Sequence, residues 1–211
     1  MKINELITNA YSILNKIKSN LAILHKFLLF ITPFLTIAYY FIFISSILPA
    51  EASAKYSALV IAYFFPPAGK ESIIPLMLSN QLGPPISPWI AGSTIVILDI
   101  ISSAIIAYNW WFAELIINHI GIIKRGYVWL HKRAEKFKKM KWINVGLLLF
   151  MIIPFQGTGG ISTTIISRLL GLSAKRTVAI VFAGSIITTG IWILWWMGFL
   201  NFLKGIFFIW V

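Results

Sequence analysis

The chain has 211 residues, of which 59% are hydrophobic and only 11% charged, and its mean hydropathy is +0.86. This composition excludes a water-soluble globular surface and predicts an integral membrane protein. The formal net charge of +12 could indicate a nucleic-acid partner, but cations placed between apolar segments are typical of membrane-protein loops, so we expect no nucleic acid.

The N-terminal residues have an amphipathic pattern, with apolar side chains such as Leu6, Ile13 and Leu14 on one helical stripe. This pattern predicts an interfacial helix over residues 1–20. Residues 27–48 are apolar and uncharged and are long enough to form a first transmembrane helix. We treat residues 21–211 as a single membrane transporter domain.

Two later apolar segments are broken by proline and glycine. The first, about residues 57–84, is interrupted by the run PPAGKE, and the second, about residues 143–172, by the run PFQGTGG. A membrane-spanning helix needs roughly 20 apolar residues, and each half of these segments is shorter. We therefore predict two re-entrant helical hairpins, which enter the membrane and turn back.

Each predicted hairpin is followed by a complete span, at residues 88–112 and at residues 177–199. Between these spans, residues 124–141 carry eight lysines and arginines against one glutamate, which predicts a cytoplasmic loop. If both hairpins turn back, the N-terminus and this basic loop lie on the same cytoplasmic face. The two hairpins then enter from opposite faces.

The two halves also form an internal repeat. An offset of 88 residues relates Pro66 to Pro154 and Gly83 to Gly171, and in each copy a broken hairpin precedes a full span. The predicted fold class is therefore an all-α integral membrane protein. It has an inverted repeat of two re-entrant hairpins, each followed by a transmembrane helix, after the amphipathic helix and the first span.

Residues 69–75 (GKESIIP) and 154–160 (PFQGTGG) resemble the E-x-R-x-x-I-P and PxPGTGA hairpin motifs of the small multi-drug export family. That family is similar to the DedA superfamily. The resemblance covers roughly residues 57–200 and departs from the motifs at Gln156, at Gly160 and in the arginine missing beside Glu71. It implies two opposed re-entrant hairpins and transport of a polyprenyl phosphate or phospholipid.

Three charged residues at expected membrane depth are the first candidates for function, because an unpaired charge is costly there. Glu71 lies at the break of the first hairpin and suits proton coupling, unless Lys70 or a backbone donor only neutralises it. Asp99, in the middle of a span, could relay protons or pair with a group from the other repeat. Arg168 could bind phosphate or reach the cytoplasmic headgroups.

The hairpin tips supply a second set of candidates, either as a cradle for an anion or as close packing of small residues. This set comprises Gly69, Lys70, Gly157, Thr158, Gly159 and Gly160. The chain has no cysteine, and its three histidines stand singly without a metal-binding motif. We therefore expect no metal, no cofactor and no enzyme activity.

Together these patterns predict a DedA-like transporter of the cell membrane, linked to the proton motive force, that moves an amphiphilic anion such as a polyprenyl phosphate or phospholipid. Export of cationic compounds is the alternative, and an intramembrane lipid-modifying enzyme is a second class of hypothesis. The expected partners are membrane lipids, and protons are the expected coupling ion. Two copies could also form a homodimer.

Overall fold

The computed structural model describes the backbone of residues 2–65, 68–119, 121, 125, 142–153 and 159–208, and the side chains there except at 2–15, 23, 26, 116–118 and 200–208. Within these ranges all regular structure is helical, which confirms the predicted all-α class. The helices are α1 (Lys2–Ile47), α2 (Ala50–Ala62), α3 (Lys70–Leu78), α4 (Pro88–Tyr108), α5 (Trp110–His119), α6 (Ile143–Ile152), α7 (Gly160–Leu169) and α8 (Ala174–Phe208).

Among the described residues, three helices are long and apolar enough to cross a membrane: Lys16–Ile47 within α1, α4 itself, and Ala174–Phe199 within α8. They coincide with the three full spans predicted from the sequence and are candidate spans by length and composition. The second is shorter than predicted, because Asn109 leaves the helix and its side-chain amide donates to the Ile105 carbonyl at 2.9 Å. The predicted interfacial helix is continuous with α1, and its place at a membrane surface stays a prediction.

Helices α2 and α3 form the first hairpin, whose two ends lie side by side. Glu51 and Lys55 belong to α2. The Lys55 ammonium donates to the carbonyl oxygens of Ser79 at 2.5 Å and Pro84 at 3.3 Å. The second turn of α2 therefore lies beside the segment that follows α3, and the re-entrant course of this hairpin stays a prediction.

A glycine with positive φ follows each of the short helices α3 and α7. Gly83 has φ +118° and Gly171 has φ +76°, a region that favours glycine. Each follows the second helix of a hairpin and precedes a long helix, as the 88-residue offset predicts. In both copies a cation lies on the same closing turn, since Lys55 donates to the Pro84 carbonyl and Arg168 to the equivalent Leu172 carbonyl.

The two long helices of the repeat, α4 and α8, pack against each other in antiparallel orientation. A Cβ on Gly92 would lie 2.8 Å from the Ile193 side chain, whereas Asp99, further along α4, is bonded to the earlier Ser185 of α8. Helix α7 runs parallel to α4, since Gly160 and Thr164 are bonded to Asp99 and Ser103 in that order. Each short helix thus begins against the long helix of the other half.

Apolar side chains divide into a packed interior and an outward surface. Tyr56, Ile74, Met77 and Ile95 are all 0% exposed and join α2, α3 and α4 into one core. Outward-facing apolar side chains remain well exposed, for example Leu194 at 72%. A surface of this kind suits contact with lipid.

Three predicted features lie outside the described residues. They are the basic loop at 124–141, apart from Arg125, and the tip residues Gly157 and Thr158.

Candidate functional site

A buried carboxylate lies on α4, against α8 and the starts of α3 and α7. Asp99, half-way along α4, is 3% exposed, and its Oδ2 is 2.6 Å from the Lys70 ammonium. The Ser185 hydroxyl donates to Oδ2 and the Tyr63 hydroxyl to Oδ1, both at 2.7 Å. The Gly160 amide donates to Oδ1 at 3.3 Å. Groups from four parts of the chain therefore meet at Asp99.

Lys70, the first residue of α3, has a partner for each of its three ammonium protons. Besides Asp99 it contacts the hydroxyls of Thr188 at 2.8 Å and Ser185 at 3.1 Å. A buried ammonium needs a partner for each proton, because it has lost its contacts with water. Removing one member of such a buried pair typically costs about 3–5 kcal/mol. The sequence offered Lys70 as a neutralising partner for Glu71, and the structure pairs it with Asp99 instead.

Two helices start at this carboxylate. Helix α3 begins at Lys70 and α7 begins at Gly160, and the N-terminus of a helix carries a partial positive charge. A Cβ on Gly160 would lie 3.0 Å from three atoms of Asp99, so a larger residue at this position would require Asp99 or the helix to shift by a few tenths of an ångström. Gly160 thus packs against Asp99 of α4, and its amide donates to that carboxylate, while the predicted anion cradle at the hairpin tips stays a prediction.

Glu71 lies beside this cluster. Its carboxylate folds back over Gly69, the residue that caps α3, so that a Cβ there would overlap it. Its Oε1 is buried, and among the described residues it has no hydrogen-bond partner. Such atoms are rare in folded proteins and point to strain or to function.

Arg168 lies at the other end of α7. Its Nη1 donates to the Leu172 carbonyl at 2.6 Å, and its guanidinium is 5.6 Å from the centre of the Trp110 ring. Eight residues of helix separate it from Gly160, which corresponds to about 12 Å. The structure therefore does not bring Arg168 to Asp99, and a role in binding phosphate stays a prediction.

Sequence reasoning missed Tyr63, Ser185 and Thr188. Ser185 and Thr188 are hydroxyl residues one helical turn apart in the middle of an apolar span. This spacing could have indicated a polar contact with another helix. Tyr63 follows α2 directly and gave no signal, because tyrosine is also common in apolar cores. In the part of the chain described here, no three histidine or acidic side chains come together as a metal site would require.

Comparison with known proteins supplies a family. Searches of curated proteins and of solved structures gave no match. The family model described as "Putative small multi-drug export protein" matches residues 71–191, more than half of the chain. This stretch includes Glu71, Asp99, Gly160, Arg168 and Ser185, so it contains most of the cluster around Asp99. The chain therefore belongs to the small multi-drug export protein family.

Proposed function

We propose that the protein is a proton-linked membrane transporter in which Asp99 takes up and releases the proton. The observation that carries the proposal is the buried Lys70–Asp99 pair at the point where α3 and α7 begin. Ionisable groups at membrane depth commonly mark ion pathways and proton relays. Membership of an export family supports transport as the activity.

Protonation of Asp99 would change the charge of the whole cluster. A neutral carboxylic acid no longer holds the ammonium of Lys70 by charge, so Lys70 and the two helix N-termini become available to another anion. Proton and cargo are coupled in this scheme because the ionised Asp99 and an anionic cargo compete for the same positive groups. Loss of the proton restores the Lys70–Asp99 pair and expels the cargo.

The proposal includes two re-entrant hairpins in an inverted repeat within the cell membrane. The antiparallel packing of α4 and α8 supports opposed halves, and the adjacent ends of α2 and α3 support a hairpin that turns back. The N-terminus and the 124–141 loop are placed on the cytoplasmic side, as the positive-inside rule favours.

The cargo proposed first is an amphiphilic anion such as a polyprenyl phosphate or a phospholipid, in line with the DedA-like resemblance. Lys70 supplies an ammonium, and helices α3 and α7 both begin at the same place without a side-chain cap, with the Gly160 amide released when Asp99 is protonated. Phosphate groups bind to such helix starts without further positive side chains. Arg168 is not needed for this site.

Export of cationic compounds is the second candidate, favoured by the family description and by Glu71. The buried Oε1 of Glu71 has no partner within the described structure, so the site holds a carboxylate that Lys70 does not neutralise. A cationic compound could bind there without displacing Lys70 from Asp99.

Reconstitution in liposomes tests the proposal. We expect the protein to accelerate leaflet exchange of a labelled polyprenyl phosphate when a pH gradient is imposed, and D99N to lose the dependence on the gradient. For the second candidate, efflux of a fluorescent cation would depend on Glu71, and E71Q would abolish it while leaving lipid exchange intact. A D99N protein that still responds to the gradient as the wild type does would overturn the proton-linked mechanism.

A further inference from the structure

Buried hydroxyl groups extend from Asp99 toward the Tyr108 end of α4. The Thr164 hydroxyl of α7 donates to the Ser103 hydroxyl of α4 at 2.7 Å, and both residues are 0% exposed. Ser167 follows one turn later on α7, and Thr177 lies near the start of α8. Both are also 0% exposed.

Ser167 and Thr177 are unusual because neither hydroxyl oxygen has a hydrogen-bond partner within the described part of the chain. A buried hydroxyl without a partner is costly, and apolar residues would fill the same space at less cost. Seven residues of α7 separate Ser167 from Gly160, and eight residues of α8 separate Thr177 from Ser185. Both hydroxyls are thus about 10–12 Å along the helix axes from Asp99.

We infer that Ser103, Thr164, Ser167 and Thr177 line the route by which protons pass between Asp99 and the Tyr108 end of α4. This inference rests on the proposed proton-linked function and adds the path to it. The route reaches the surface at the turn before α8, where Ser173, Lys175 and Arg176 are exposed.

Water molecules would complete the chain of hydrogen bonds. Successive positions, Asp99 to Ser103 and Thr164 to Ser167, are about 4.5–6 Å apart along their helices, a gap that one water bridges. At each step an oxygen accepts a proton through a lone pair and passes its own proton to the next oxygen, so no charge accumulates. Asp99 is the end at which the proton stays bound.

Charged and titratable groups face both ends of this route. Around Asp99 these are Lys70, Glu71 and Tyr63. At the far end, the Arg168 guanidinium is held by the Leu172 carbonyl, and Arg176 donates to the Asn144 side chain at 2.9 Å. Between the two ends lie the buried hydroxyls of Ser103, Thr164, Ser167 and Thr177.

The test is the rate at which Asp99 binds a proton after a rapid drop in pH on the Tyr108 side of oriented liposomes. Protonation is followed by the carboxyl stretching band in the infrared, and D99N identifies that band by losing it. We expect S167A/T177V and S103A/T164V each to slow its appearance about tenfold, the change that one lost hydrogen bond in the barrier would give.

T189V is the matched control. Thr189 is also on α8 and 2% exposed, and its hydroxyl likewise has no partner among the described groups, but it lies on the Ser87 side of Asp99. We expect T189V to bind the proton at the wild-type rate. Unfolding temperatures in detergent show whether the variants fold. If S167A/T177V does not fold, S167A alone replaces it in the test.

The two proposals fail in different ways. If D99N loses the dependence of transport on the gradient while S167A/T177V keeps the wild-type rate, the route is wrong and the proposed function stands. Equal slowing in T189V also overturns the route. If no band that D99N removes appears in the wild type, Asp99 does not take up the proton, and both proposals fall.

Discussion

Asp99 and Lys70 depend on each other, because each is buried and each neutralises the other. We predict that K70M lowers the free energy of unfolding by about 3–5 kcal/mol, since it leaves the Asp99 carboxylate buried without its cation. The double variant K70M/D99N should regain much of that loss, because neither charge then remains. Denaturant unfolding in detergent measures both, and additive losses in the double variant would contradict the coupling.

Arg168, unlike Lys70, lies at the end of α7 and not at Asp99. We predict that R168A lowers the free energy of unfolding by about 1–3 kcal/mol, because the Leu172 carbonyl loses a charged donor and Trp110 loses its cation. Transport of both cargoes should persist in the folded fraction. Selective loss of lipid transport in R168A, with cation export intact, would instead make Arg168 the phosphate ligand.

At the scale of the element, the start of α7 depends on a close approach to α4. We predict that G160A costs about 1–3 kcal/mol in stability and slows transport, because its Cβ would lie 3.0 Å from Asp99 and push the two helices apart. G159A is the matched control, since the nearest atom to its Cβ is the Tyr63 hydroxyl at 4.0 Å. Similar losses in both variants would show that the Asp99 contact is not the cause.

The helices themselves were largely predictable, whereas their contacts were not. Runs of apolar residues located the three long helices, and the proline and glycine run at residues 66–71 marked the end of α2 before α3. The sequence also singled out Asp99 as a charge in a span. Its partners could not be read from the sequence, because Lys70 and Ser185 are brought to it by packing from 29 and 86 residues away.

Glu71 is a second residue whose contacts could not be read from the sequence. It stands next to Lys70 in the sequence, which made a neutralising pair the alternative to proton coupling. Neighbours in a helix project about 100° apart, so adjacent positions do not direct two side chains at each other. Lys70 accordingly faces α4 and α8, and Glu71 folds over Gly69.

At the scale of the whole molecule, the proposed mechanism requires that both ends of each hairpin emerge on one face. The chain has no cysteine, so single cysteines can be introduced at exposed positions without a background signal. Glu51 and Ser87 flank the first hairpin, and Trp142 and Ser173 flank the second. All four side chains are exposed, so a maleimide that does not cross the membrane can reach them.

We predict that E51C and S87C are labelled from one side of the membrane, and W142C and S173C from the other. The reason is that Ser87 and Tyr108 lie at opposite ends of α4, and α7 runs parallel to α4 toward the Tyr108 end. Labelling of E51C and S87C from different sides would mean that the first hairpin crosses the membrane. Asp99 would then no longer lie between two re-entrant tips, and proton-linked exchange at that site would lose its structural basis.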